Sequence, residues 1–256
     1  MSYLPFTRFA FRIGRELPWL REINISRAEF MTVVNEERPC STFHICSEHV
    51  YEDLQLLREH GLVFIPLRKC RRVGGFAHRF YDPLPGQPYD VFGVISRDNA
   101  SAERFAKAYY RGDHWTMGKL LGYPECCIHF FLETWIERQV VDPIWEAAAN
   151  TTGHRKKVQI IREFLPECNI LSRYAGIRVV PHLVCSFDCE GSAVFAEMFR
   201  PYIPHYRKLV KLLSEPTLWD CRYGVAIVKT RYFEIVANSH PYRDRRVVQL
   251  GETEMG

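Results

Sequence analysis

Two adjacent cysteines, Cys126 and Cys127, sit in the stretch "LLGYPECCIHFF". Two more, Cys185 and Cys189, sit in "PHLVCSFDCEGSA". A thiolate ligates soft metals and attacks electrophiles, so four thiols in two short blocks point to metal binding or thiol redox chemistry. The chain has nine cysteines, an odd number, and no export signal. That argues against a disulfide framework and for a metal or reactive thiols in a reducing compartment.

Each block reads as the start of a helix. Pro124 suits a first helical turn. After it Ile128, Phe131, Leu132, Trp135 and Ile136 repeat as a core-facing stripe, which Cys127 extends. Cys126 lies about 100° around the helix from Cys127. In the first turn the free N–H groups and the positive end of the helix dipole favour a thiolate. In the second block "GIRVVPHLV" reads as a strand ending near His182. "SFDCEGSAVFAEMF" reads as a helix, with Cys185 and Cys189 on one face and Ser186 or Asp188 as its cap.

Adjacent side chains diverge around a helix, which is awkward for one tetrahedral zinc and easier for a [4Fe–4S] cluster, whose ligand points lie on different irons. The ligand pool Cys126, Cys127, Cys185 and Cys189 therefore ranks a [4Fe–4S] cluster first and zinc second. His182 is a candidate ligand or proton donor. Asp113 and His114 lie about a dozen residues before the vicinal pair and are further candidate catalytic groups. Their ordinary reading is a solvated pair beyond Gly112. Cys40 and Cys46 flank His44 at a spacing that allows a second metal site. Nothing else supports one.

"GYPECC" followed by "HLVCSFDC" resembles the paired signature of the family filed as domain of unknown function 483, over roughly Val91 to Phe199. The resemblance implies that the two cysteine blocks act together and implies no particular activity. The family's second block typically has proline before its first cysteine, where this chain has Val184. Adjacent cysteines on a cluster are also similar to the epoxyqueuosine reductase class, whose surrounding residues do not match here.

Arg68, Lys69, Arg71 and Arg72 form a basic cluster suited to a small anionic substrate, and "YRDRR" near the C-terminus is a second one. No nucleic-acid motif accompanies them, and a net charge of +4 is too small to imply such a partner, so nucleic acid ranks low. The first expectation is therefore an iron–sulfur enzyme doing redox, sulfur-transfer or Lewis-acid chemistry on a small anionic substrate with an electron-donor protein; the alternatives are a zinc-stabilised structural or binding protein and a metal-free enzyme using Cys126 and Cys127 as a redox pair. The glycine-rich phosphate loops and the radical S-adenosylmethionine spacing are absent from the sequence.

The elements around these blocks read as α/β or α+β: a small mixed sheet flanked by helices, with a helix-rich middle. "SEHVYEDLQLLREHG" reads as a helix capped by Ser47, with Val50, Leu54 and Leu57 on one side. "LVFIPL" and "VFGVIS" read as buried strands, "RKCRRVGGFAHRFYDPLPGQPYD" as a loop, and "SAERFAKAYYRG" as a helix opened by Asn99 or Ser101 and closed by Gly112. "YGVAIVKTRYFEIVA" reads as a hairpin broken at Lys229. Residues 1–97 form an N-terminal segment and 98–256 the cysteine-motif domain, or the two are continuous. With 47% hydrophobic and 25% charged residues, and no run near the roughly 20 apolar residues of a membrane helix, the expectation is a cytoplasmic protein without a membrane span.

Overall fold

The structure, a computed structural model, describes residues 7–10, 17–71, 80–140, 142–152, 158–222, 225–238 and 246–251. In chain order the elements are β1 (Thr7–Ala10), α1 (Ile25–Val34), β2 (Cys40–Cys46), α2 (Val50–Glu59), β3 (Val63–Arg71) and β4 (Tyr89–Ser96). Then come α3 (Asn99–Arg111), α4 (His114–Leu120), α5 (Glu125–Phe131), a π-helical turn (Leu132–Glu137), α6 (Ile144–Thr152) and β5 (Val158–Ile161). Last are α7 (Glu190–Glu197), α8 (Tyr206–Leu213), β6 (Thr217–Arg222), β7 (Val225–Lys229), β8 (Glu234–Asn238) and β9 (Arg246–Leu250). This is an α+β fold. Among the described residues no helix is long and apolar enough to cross a membrane.

The chain folds as two compact units, one of residues 26–128 and one of residues 1–25 with 129–256. The division falls inside helix α5. The first unit holds a three-stranded antiparallel sheet in the order β2-β4-β3. One cluster joins Phe92 and Val94 of β4 to Ala102, Phe105 and Ala106 of α3. A second joins Ile45 and Ile95 to Phe30 and Val33 of α1 and Leu57 of α2. Each of the larger side chains among them contributes about 1.5–3 kcal/mol by leaving water.

Helix α3 forms because its apolar residues recur at three and four. Its ends are fixed too: Asp98 accepts from Ala100 N–H and Ser101 N–H, and Gly112 closes it at φ 68°. The cap is therefore Asp98, not Asn99 or Ser101 as expected. Ser47 does not cap α2. Its hydroxyl accepts from the Tyr89 N–H instead, and only Leu57 of the expected apolar side is buried, with Val50 and Leu54 exposed. Strand β3 continues through Arg71 into the region read as a loop, because Cys70 is drawn into the core opposite Asp90 of β4. The basic residues Arg68, Lys69 and Arg71 thus lie on an edge strand. Arg72 lies outside the described residues, as does all of "YRDRR" but Arg246.

The second unit holds a six-stranded sheet in the order β1-β8-β7-β6-β9-β5. Its pairs are antiparallel except β5 with β9. The expected hairpin is present as β7 and β8, with Thr230 N–H bonded to Phe233 C=O in the turn. Trp219 of β6 stacks on Trp145 of α6 with ring centroids 4.0 Å apart. The expected strand at "GIRVVPHLV" is absent: these residues are irregular. Val179, Val180 and Val184 are buried without a strand partner, and Pro181 has no N–H to give a ladder.

Candidate metal centre

The vicinal cysteines are placed by a tight helix–turn–helix. Asp113 caps α4 through the Thr116 N–H. Gly122, at φ 74°, ends it: Gly122 N–H bonds Lys119 C=O and Tyr123 N–H bonds Gly118 C=O. This αL closure satisfies the last carbonyls of α4 and turns the chain toward α5. Pro124 C=O then accepts from both Cys127 N–H and Ile128 N–H to open α5. A side chain at Gly118 would put its Cβ 2.7 Å from Ile128, so glycine there lets α4 and α5 meet closely. Buried Arg38 adds a bond to Leu121 C=O at the same turn.

Cys126 is exposed and Cys127 buried, yet their sulfurs are 3.9 Å apart. The expectation that neighbouring thiols diverge is therefore corrected: these two side chains lean toward one another. Beyond Phe131 the helix widens into the π-helical turn, which shifts the angular phase of the stripe. Phe131, Leu132, Trp135 and Ile136 are accordingly only half-buried.

Cys185 and Cys189 do not share a helix. Helix α7 begins at Glu190, and Cys189 is its N-cap, its sulfur accepting from Ser192 N–H at 3.4 Å. Residues 185–187 bond elsewhere instead of starting the helix. Asn150 donates to Cys185 C=O, Thr151 Oγ1 accepts from Phe187 N–H, and Leu165 N–H donates to Phe187 C=O. Nothing in the sequence flags Asn150 and Thr151 as the groups that fix this loop.

The sulfurs of Cys126, Cys127, Cys185 and Cys189 all lie within 4.8 Å of one another, a group that can hold a metal ion. Around the second pair the supporting contacts are specific. His182 is buried and its Nε2 is 2.8 Å from Ser192 Oγ, its ring edge-on to Phe195. Cys168, fully buried, donates its S–H to Cys189 C=O at 3.4 Å. Burial, and then the nearby Cys189, push the Cys168 thiol far up, so it stays protonated as a donor. Sequence reasoning did not single it out.

The other sequence candidates are placed as follows. The Thr116 hydroxyl, and then its N–H, hold the Asp113 carboxyl below its usual range. His114 follows it, with its imidazole pushed down by burial. Arg68 pairs with Asp82 at 3.1 Å. Arg68, Lys69 and Arg71 lie over the rings of Phe80, Tyr89 and Tyr81. His44 is 3.8 Å from Asp90, and Cys46 and Cys70 both stand opposite Asp90 across the sheet.

Residues 101–214, which contain all four gathered cysteines, match the model of a family described as a protein of unknown function (DUF483). The chain resembles that family over this segment. No curated protein and no solved structure matches the chain.

Proposed function

We propose that Cys126, Cys127, Cys185 and Cys189 hold one tetrahedral ion as four thiolates, zinc first, and that the protein is a metal-stabilised binding protein. The observation that carries this reading is the sulfur spacing. Four sulfurs at about 2.3 Å from one zinc ion stand about 3.8 Å apart. The vicinal pair is at 3.9 Å and the whole group within 4.8 Å. Four protein thiolates fill the tetrahedron and leave no position for substrate, which is the mark of a structural site. Such an ion adds its binding energy to folding. The Ser192 N–H directed at the Cys189 sulfur supports a charged ligand at that position.

A second reading keeps the [4Fe–4S] cluster, favoured by the same four-thiolate donor set and the N–H···S bond at Cys189. With all four thiolates on the irons such a cluster would supply electron transfer; with three, the fourth iron would be open and supply Lewis acidity. The protein would then be an enzyme acting on a small anionic substrate with an electron-donor protein. His182, linked through Ser192 to the start of α7, would hold a proton beside the site.

The test is to purify the full chain without oxygen and assay zinc, iron and acid-labile sulfide. A colourless protein with one zinc supports the first reading. A brown protein with matching iron and sulfide replaces it with the second. No metal, even after anaerobic reconstitution, removes both and leaves Cys126 and Cys127 as a redox-active thiol pair.

A further inference from the structure

The edge strand β3 carries positive charge and aromatic rings on both of its faces, Arg68 opposite Phe92 and Lys69 and Arg71 opposite Val91 and Tyr89, and the four-cysteine site itself does not use them. Arg68 lies over Phe80 at 5.8 Å, Lys69 over Tyr89 at 5.3 Å and Arg71 over Tyr81 at 5.8 Å. Tyr110 of α3 bonds through its hydroxyl to Leu67 C=O, one residue before Arg68, and is 67% exposed. Phe80 is 40% exposed and rests on Phe92 with ring centroids 4.7 Å apart. Every one of these residues belongs to the unit 26–128.

We infer that this edge binds single-stranded nucleic acid. Three physical points support the choice. First, a cation over a ring is already held in place, so less side-chain freedom is lost when a phosphate arrives. Second, the largely exposed ring of Tyr110, anchored to the strand through Leu67 C=O, offers a stacking face for a base, and the strand's cations offer charge for the backbone. Third, Arg68 pairs with the exposed Asp82, a solvent-facing pair that a phosphate can displace at little cost. An anionic bilayer fits less well, since polybasic membrane segments use about 4–8 cations and this edge carries three among the described residues. A small anion would use the cations and leave Tyr110 without a role.

The inference does not depend on the metal, and its test keeps the two apart. The full chain as purified is titrated into a labelled uridine oligonucleotide of about 16 nucleotides and followed by fluorescence anisotropy. Saturable binding is expected, with log K falling against log salt at a slope near −2, three phosphates at about −0.7 each. Tyr110→Ala, at a largely exposed position, should weaken binding roughly 5- to 150-fold with an unchanged circular dichroism spectrum. Arg68→Ala should reduce the salt slope by about 0.7. Metal content is assayed on the same wild-type, Tyr110→Ala and Arg68→Ala preparations, and it should be equal in all three while oligonucleotide binding differs. The inference is overturned by any of four results: no anisotropy change, equally tight binding of duplex RNA, heparin competition with no effect of Tyr110→Ala, or uptake by anionic vesicles in place of the oligonucleotide.

Discussion

Cysteines occur in this protein in two kinds of setting. In the three-stranded sheet Cys40 and Cys70 are buried within the cluster that faces α3. Burial pushes the Cys40 thiol up to about 11, against lowering contributions from Ser96 and Arg38, and burial with Asp90 also raises Cys70. These two behave as small apolar side chains. At the starts of α5 and α7 Cys126, Cys127 and Cys189 stand where N–H groups point outward, and Cys185 joins their sulfurs from the irregular stretch before α7. The difference lies in the backbone beneath the sulfur: a strand ladder consumes its N–H groups, whereas a first helical turn offers them.

The sharpest way to break this contrast is substitution. Cys127→Ser and Cys189→Ser should each release the metal from purified protein, weakening affinity by more than the roughly 10- to 100-fold that changes outside the ligand set produce. Cys40→Ser should leave metal content at the wild-type level by elemental analysis. If Cys40→Ser also empties the site, the two settings are not distinct. Next in size is reactivity. In metal-stripped native protein, Cys126 should react with a thiol reagent at least about 100-fold faster than Cys40, read by mass spectrometry of labelled peptides. Metal loading should protect Cys126 and leave Cys40 as slow as before.

Smaller effects test the scaffold. Gly118→Ala forces a methyl group against Ile128 and should cost about 1–3 kcal/mol in denaturant unfolding. It should disturb the metal site more than the sheet cysteines. The smallest effect concerns Asp113. Its folded carboxyl titrates below its unfolded value, so its contribution is present above the ordinary carboxylate range and is lost as pH falls through the folded value. Asp113→Asn keeps an N-cap side chain without the charge. Stability measured from pH 6 down to about pH 3 should therefore fall less steeply in the variant.

The two cysteine blocks were legible because thiol spacing and Pro124 carry local meaning. Their convergence was not: the lean of Cys126 toward Cys127 is a matter of rotamers that sequence does not state. The strands β3 and β4 and the β7–β8 hairpin were legible from runs of branched and aromatic residues. "GIRVVPHLV" carried the same signal and is irregular, because burial without a partner strand leaves β-propensity unused. The helix over "SFDC" failed for a different reason. Asn150, Thr151 and Leu165, distant in sequence, take the polar groups of residues 185–187 before a helix can. Arg68, Lys69 and Arg71 were read as a loop because charge there outweighed alternation in the pattern. Their ring partners became visible only with the edge strand in place.

Cys189 occupies a position for which the helix has its own preference. Serine, threonine, aspartate or asparagine would cap α7 with an oxygen better matched to the Ser192 N–H than sulfur is. A chain selected for helix stability alone would therefore carry oxygen at 189. In the proposed metal site the sulfur answers a second demand on the same atom, and the two demands can be separated by chemistry. Serine at this position would keep the cap and surrender the soft ligand, while alanine would surrender both. The gap in helix protection between the serine variant and the metal-free cysteine chain measures what the fold gives up to keep sulfur at that corner.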